Sequence, residues 1–179
     1  MNSFPILKTE RLTLREIIPE DVPEVFNIFS HPEVMRYYDM EALTEPHQAL
    51  EVIARFTDRY HKEVGIRWGI TLKHSGEVIG TCGLVRKPHN RSAVLGYDLA
   101  AEFWGQGIMT EALRPLLTYA FDREVNRIEA MTHTQNTASQ KVLTKLGFRT
   151  EGILRDYFYF KGEFFDLQCF SLLKKDFEI

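Results

Sequence analysis

The chain has 179 residues, of which 44% are hydrophobic and 26% are charged, with a formal net charge of -3. This length and apolar content suit one sizeable core, so we expect a single domain over residues 1–179. The basic residues are scattered, no signal-peptide pattern is present and no run of about 18 apolar residues occurs, so we expect a cytoplasmic protein that binds neither nucleic acid directly nor membranes.

Hydrophobic periodicity divides the first part of the chain into a strand and two helices. Residues 11–15 alternate polar and apolar side chains and predict a strand, after which Pro19 opens a short helix. A longer amphipathic helix is predicted from residue 45 to residue 62.

The rest of the chain predicts a strand meander followed by strand–helix units. Residues 68–72 and 78–84 should form a hairpin, and residues 93–99 should add a third strand. The later elements are a helix that begins after Gly107, a strand at 128–134, a helix at 136–146 that ends at Gly147, and a hairpin that turns at Lys161 and Gly162. This order predicts an α/β (α+β) fold with a mixed, mostly antiparallel, twisted sheet and helices on both faces.

Residues 95–113 combine a strand, a glycine turn and a helix start. Gly105, Gln106 and Gly107 form the glycine turn, and apolar side chains at helical spacing follow it. Glycines allow close approach of a ligand, and the unpaired amides of a helix N-terminus favour an anion such as pyrophosphate. The turn is a candidate phosphate cradle, although glycine also serves such turns for geometry alone. Pro115 removes a helical hydrogen bond, and we expect a kink between Glu111 and Pro115.

Asn136 and Ser139 mark the start of the later helix. Asn is a favoured N-cap, and a Ser three positions on can return a hydrogen bond as in a capping box. The two cysteines, Cys82 and Cys169, lie in apolar strand-like segments without metal-ligand spacing. We therefore expect buried thiols, no disulfide and no metal site.

These motifs resemble the GCN5-related N-acetyltransferases (GNAT), and within them the ribosomal-protein N-terminal acetyltransferase-like branch. WGQGIMTEA around the glycine turn is similar to the WGxGxxTEA form of that branch. Gly107 matches the central glycine of the family pattern R/Q-x-x-G-x-G/A, whereas Trp104 and Met109 depart from it. Further similar segments are TERLTLRE at 9–16, NRIEA at 126–130, NTASQKVLTKLGF at 136–148, EGILRDY at 151–157, and Asp166.

The resemblance implies that acetyl-CoA enters between two parallel strands that splay apart, and that its acetyl group passes to a primary amine without a metal. It also implies that Ser139 lies near the CoA sulfur. Because Leu143 stands where many members carry an acidic Tyr, Ser139 or a water it holds is the expected hydrogen-bond donor to the departing thiolate. The implied cofactor-binding residues are Leu99, Ala100, Gly105, Gly107, Ile108, Met109, Thr110, Asn136 and Ser139.

The catalytic base is less clearly marked. Relatives often have Glu where Val94 stands, so we consider two other candidates. Asp98 shares a strand face with Val94 by parity, and His133 ends the next strand with an imidazole that titrates near neutral pH. Either can equally be an ordinary strand-end residue. About a tenth of α-amines with pKa ~8 are neutral at pH 7, far more than of lysines, so a weak base suits an N-terminal α-amine.

The acceptor side is predicted to be aromatic and mildly acidic. Candidate substrate-binding residues are Tyr97, Tyr157, Tyr159 and Asp166, and Asp166 could instead pair with Arg155 or Lys161. The preferred acceptor is a protein N-terminus of the ribosomal-protein type. The alternatives are a small amine such as a polyamine or aminated antibiotic, and a non-catalytic CoA-binding regulatory module. Because branch members are often dimers, the resemblance also implies a homodimer.

Overall fold

The computed structural model describes residues 3–160 and 162–177. Their strands form an eight-stranded sheet in the order β1-β2-β3-β4-β5-β6-β8-β7. The strands are β1 (Leu7–Lys8), β2 (Leu12–Arg15), β3 (Gly65–Leu72), β4 (Val78–Lys87), β5 (Ser92–Leu99), β6 (Arg127–His133), β7 (Arg149–Phe160) and β8 (Glu163–Leu173). The α-helices are α1 (Val22–Ser30), α2 (Pro46–His61), α3 (Ile108–Phe121) and α4 (Thr137–Lys145).

The predicted element order is confirmed, with shifts at the ends. Strands β3 and β4 extend beyond the predicted hairpin, because their antiparallel pairing continues as far as Gly65 and Val85. Strand β1 was not predicted, since two residues are too few for a hydrophobic period. The predicted turn of the last hairpin includes Lys161, which lies outside the described residues; Gly162 adopts a positive φ of 83°.

One strand pair in the sheet is parallel, and it separates soon after it begins. Strands β5 and β6 pair from Ser92 opposite Arg127 to Val94 opposite Glu129. Beyond these residues β5 continues to Leu99 and β6 continues to His133 without pairing to each other. The expected splayed pair is confirmed, and we call the space between the unpaired ends the β5–β6 gap.

Hydrophobic cores cover both faces of the sheet. One core joins α3, which contributes Leu117, and α4 to the strand face that carries Trp68 and Leu95. The other joins α1 and α2 to the opposite face through residues such as Phe29 and Ile53. Helices on both faces are therefore confirmed. Within the described residues, no helix has the length and apolar content needed to cross a membrane.

Two local expectations have different outcomes. Helix α3 runs through Pro115, so the proline does not end it, and the bend remains a prediction. Cys82 is buried, but Cys169 is only partly buried, so the expectation of two buried thiols is wrong for Cys169. Its strand, β8, lies one place from the sheet edge, where covering is incomplete.

Candidate functional site

The glycine turn lies directly before α3 and is open. Gly105 and Gly107 both have φ of 75°, which a residue with a β-carbon rarely adopts. Gly107 is the N-cap of α3, and no side chain caps this helix start in the described part of the chain. A β-carbon at Gly105 would meet nothing within 4 Å. The first amides of α3 therefore remain available to an anion.

The side chains that follow the turn are buried. Ile108, Met109 and Thr110 are at most 8% exposed. They pack beneath the turn, so any contact they make with a ligand at this place would come from their backbone amides. This agrees with a phosphate site made of backbone groups rather than of cationic side chains.

The end of β5 directs backbone groups into the β5–β6 gap. The Ala100 amide donates to the Ile79 carbonyl on β4 at 2.8 Å. Because amides alternate in direction along a strand, the Leu99 amide points to the opposite side, into the gap. The Trp104 indole Nε1 donates to the Leu99 carbonyl at 2.8 Å.

Ser139 faces Tyr97 across the gap. The Asn136 Oδ1 accepts the Ser139 amide at 3.1 Å, which confirms Asn136 as the N-cap of α4. The Ser139 Oγ lies 2.7 Å from the Tyr97 hydroxyl, and that hydroxyl also donates to the Ser139 carbonyl at 3.2 Å. Burial raises the pKa of Tyr97 to about 12, against a smaller lowering by the Ser139 hydrogen bond. Tyr97 is thus a neutral donor at physiological pH.

The sequence predicts Tyr97 as an acceptor-binding residue, and that role stays a prediction. The structure adds a contact of its hydroxyl with Ser139. Tyr97 lies two residues from Leu95 and from Leu99 on β5, so the three side chains share one face of the strand. Leu95 and Leu99 belong to the core with α3 and α4, which indicates that Tyr97 faces these helices. The partner on α4 could not be found from sequence spacing, because it depends on how far the two strands separate.

Asp98 lies in a buried ion pair with Arg67. Its Oδ1 accepts the Thr81 amide at 3.0 Å, and its Oδ2 accepts the Thr81 hydroxyl at 2.8 Å and the Arg67 Nη2. The Tyr38 hydroxyl also lies 3.4 Å from Oδ2. Both carboxylate oxygens are therefore engaged, and the side chains of the pair are 7% and 2% exposed. The geometry favours a structural ion pair over a proton-accepting role.

Arg67 was missed by sequence reasoning, although a signal was present. It is a charged residue within the apolar strand β3, opposite Gly83 on β4. A β-carbon at Gly83 would come within 2.8 Å of the Arg67 Cα, and one at Gly96 within 3.0 Å of its Nη1. The missing β-carbons of these two glycines therefore leave room for Arg67 on the sheet.

His133 belongs to an aromatic cluster at the end of β6. Its ring centroid lies 4.9 Å from that of Tyr37 and 5.1 Å from that of Phe165. Its Nδ1 accepts the Gln135 amide at 3.1 Å. A neutral ring in this arrangement carries its proton on Nε2, so that nitrogen donates rather than accepts. Tyr37 lies in the segment between α1 and α2, and no sequence pattern marks it as a neighbour of His133.

The hairpin of β7 and β8 carries the remaining acceptor candidates. Tyr157 and Tyr159 are 56% and 61% exposed, and the Tyr159 ring lies 4.8 Å from that of Phe164. The Asp166 Oδ1 accepts the Asp156 amide at 2.9 Å. Pairing of Asp166 with Lys161 concerns a residue outside the described range.

Metal-ligating residues are not clustered in residues 3–160 and 162–177. No three His, Cys, Asp or Glu side chains there come together in a way that could hold a metal ion. Independence from metal remains an expectation of the sequence.

Comparison with known proteins places these features in a family. The profile described as "Acetyltransferase (GNAT) domain" matches residues 11–149. "Uncharacterized N-acetyltransferase YoaA" of Bacillus subtilis is 39% identical over 174 residues, 96% of this chain and 98% of that protein. "Putative ribosomal N-acetyltransferase YdaF" of the same organism is 38% identical over 129 residues, 71% of this chain and 69% of that protein.

A solved structure shows the same fold. The ribosomal L7/L12 α-N-protein acetyltransferase RimL is 22% identical and superposes with a TM-score of 0.85, covering 96% of each chain. The chain therefore belongs to the GNAT family and is an N-acetyltransferase.

Proposed function

We propose that the chain binds acetyl-CoA with its pyrophosphate on the glycine turn and its thioester in the β5–β6 gap. The observation that carries this proposal is the open turn at the mouth of the gap. The uncapped start of α3 offers amides to the pyrophosphate, and Asn136 and Ser139 lie at the start of α4, across the gap from β5. The gap begins where the parallel pairing ends, after Val94 and Glu129.

The reaction proposed is direct transfer in a ternary complex. The amine nitrogen attacks the thioester carbonyl carbon and forms the C–N bond, the amine proton passes to water, and the C–S electron pair goes to sulfur as the bond breaks. The Leu99 amide points into the gap and would stabilise the developing oxyanion. The Ser139 hydroxyl would donate a hydrogen bond to the departing thiolate, a contact that strengthens only as sulfur gains charge.

Tyr97 supports this role of Ser139. Its hydroxyl lies 2.7 Å from the Ser139 Oγ. When Tyr97 donates its single proton to this oxygen rather than to the Ser139 carbonyl, the Ser139 proton is left free to point at the sulfur. Hydrogen bonds in such a chain polarise one another, which makes the Ser139 hydroxyl a better donor.

The acceptor we propose is a protein N-terminal α-amine of the ribosomal-protein type, in the cytoplasm. Both candidate bases are engaged, Asp98 by Arg67 and His133 Nδ1 by the Gln135 amide. Water is then the proton acceptor, which an α-amine tolerates better than a lysine does. YdaF, which is named a putative ribosomal N-acetyltransferase, supports this choice. We propose that Tyr157, Tyr159 and Asp166 contact the acceptor. The alternative for the two tyrosines is that they pack against a second copy of the chain in a homodimer.

An acceptor screen read by thiol release tests the function. The panel contains peptides with free N-termini, the same peptides with blocked N-termini and one lysine, polyamines and aminoglycosides. We expect the highest kcat/KM with a free N-terminus. Turnover confined to polyamines or aminoglycosides would assign a small-amine enzyme, and acetyl-CoA binding without acceptor-dependent release would indicate a regulatory module.

The role of Ser139 is tested by Ser139→Ala. We expect kcat to fall about 10-fold or more with little change in acetyl-CoA affinity, because the lost contact acts on the developing thiolate. Thr144→Ala is the matched control, since the Thr144 hydroxyl on the same helix bonds only to the Gln140 carbonyl among the described residues. Normal kcat in folded Ser139→Ala would leave Ser139 with a structural role alone.

A further inference from the structure

We propose that residues 9–11, before β2, are a positioning part of the coenzyme site, because they hold the glycine turn and the first turn of α3 in the geometry that receives the CoA diphosphate. The proposal rests on the proposed function in one respect, the placement of the diphosphate on this turn. We call the contacts among Thr9, Arg11, Gln106 and Glu111 the N-terminal clamp.

Four hydrogen bonds form the clamp. The Glu111 Oε1 accepts the Thr9 hydroxyl at 2.5 Å and the Arg11 amide at 2.9 Å. The Glu111 Oε2 accepts the Arg11 Nε at 2.6 Å. The Arg11 Nη2 reaches the Gln106 carbonyl, in the middle of the glycine turn, at 3.2 Å. One arginine thus joins the turn to the helix that follows it.

Two further hydrogen bonds attach the clamp residues to the sheet. The Thr9 hydroxyl accepts the Leu12 amide at 2.9 Å, and the Arg11 carbonyl accepts the Lys73 amide at 3.0 Å. The segment is therefore tied to the sheet through β2 and the residue after β3. A turn whose glycines are conformationally free gains a fixed position from this anchor.

Charge gives the clamp a second effect. Glu111 lies one helical turn from the N-cap, since its amide donates to the Gly107 carbonyl at 3.0 Å. An unpaired carboxylate there would repel a diphosphate on the same helix start. Burial raises the pKa of Glu111, but hydrogen bonds from Thr9 and Arg11 lower it by more, so the carboxylate is ionised. Arg11 cancels this charge.

Arg11 is also close to the expected ligand. A β-carbon at Gly107 would lie 3.9 Å from the Arg11 Nη2. The Arg11 side chain remains 46% exposed, so part of the guanidinium faces solvent beside the turn. Trp104 supplies no charge to the turn, because its indole is neutral, and this indole bonds to the Leu99 carbonyl.

The test compares two acetyl donors, acetyl-CoA and S-acetylpantetheine, which lacks the diphosphate. For Arg11→Gln we expect kcat/KM to fall about 10-fold with acetyl-CoA, through KM, and to stay within about 2-fold with S-acetylpantetheine. Arg11→Gln/Glu111→Gln should lose less than Arg11→Gln, because the double variant has no unpaired carboxylate. Competitive inhibition by CoA and by pantetheine gives the same comparison without turnover of the truncated donor.

Arg15→Gln is the matched control, because Arg15 lies nearby on β2 and pairs with Asp21 at 2.7 Å, away from the turn. Equal losses with both donors in Arg11→Gln, or a loss no larger than in Arg15→Gln, would overturn the clamp as a diphosphate-positioning device. Failure of the proposed function looks different. In that case the unmodified protein would use acetyl-CoA and S-acetylpantetheine with equal kcat/KM. CoA and pantetheine would likewise inhibit it equally.

Discussion

Asp98→Asn separates two roles for the carboxylate on β5, the structural ion pair and the catalytic base. The substitution keeps the shape of the side chain and removes its charge. Arg67 would then be a buried cation without its counter-charge, although it would keep its hydrogen bonds to the Thr81 and Tyr38 hydroxyls and its contact with the Phe56 ring. We therefore expect the main effect on stability rather than on kcat in the folded protein.

The magnitude follows from the burial of the pair. Its side chains are 7% and 2% exposed, so water screens neither charge well. Removing one partner of such a pair costs about 3 to 5 kcal/mol, and we expect about 3 because Asn retains part of the hydrogen bonding. For a chain of this size that corresponds to a fall in Tm of ~6 to 12 °C.

Thermal and urea unfolding measure this loss of stability, with Asp58→Asn as the control variant. Asp58 pairs with Lys62 on α2 with both side chains more than half exposed, and its loss should cost no more than about 0.5 kcal/mol. The kinetic assay is run well below the lower Tm, with saturating substrates. An Asp98→Asn protein of unchanged Tm whose kcat falls about 100-fold or more would refute the structural interpretation and assign Asp98 as the base.

Three further predictions follow from single contacts. Gly107→Val should weaken acetyl-CoA binding in a calorimetric titration while the protein stays folded, because Val resists the φ of 75° and adds bulk beside the turn; unchanged affinity would contradict the site. Tyr97→Phe should lower kcat less than Ser139→Ala, and the two effects should not add in the double variant, since both act through one hydroxyl; additive losses would separate the residues. Hydrogen bonds from Arg127 and then Ser171 lower the pKa of Glu151 from 4.5 to about 2, so its stabilising contribution is present above pH 4.5 and is lost as pH falls toward 2. Tm measured against pH should therefore fall less over this range in Glu151→Gln, and parallel curves would contradict the assignment.

Much of the fold could be predicted because its signals are local. The apolar periodicity of α2 can be recognised from residues that are neighbours in the sequence. The same holds for the turn before α3, which has a glycine at each end. Asn136 as N-cap follows from the same kind of rule, and the structure confirms it. Among the site residues, the glycine turn and Ser139 were found through motifs whose members are close in sequence.

The contacts of the site required the tertiary structure, because they join residues far apart in the chain. Thr9 meets Glu111, Arg67 meets Asp98, and Tyr37 meets His133 only after the sheet has brought their segments together. Sequence parity placed Asp98 on a strand face correctly, but parity does not report which side chain lies opposite it.

The sequence by itself determined the order of strands and helices, the glycine turn and the family resemblance, since each is carried by local periodicity or a short motif. Only the tertiary structure decided that Asp98 pairs with Arg67, that the Tyr97 hydroxyl contacts Ser139, and that Arg11 contacts the glycine turn. The physical reason is that hydrogen bonds and ion pairs depend on distances of about 3 Å, which the chain sets only when distant segments pack against one sheet.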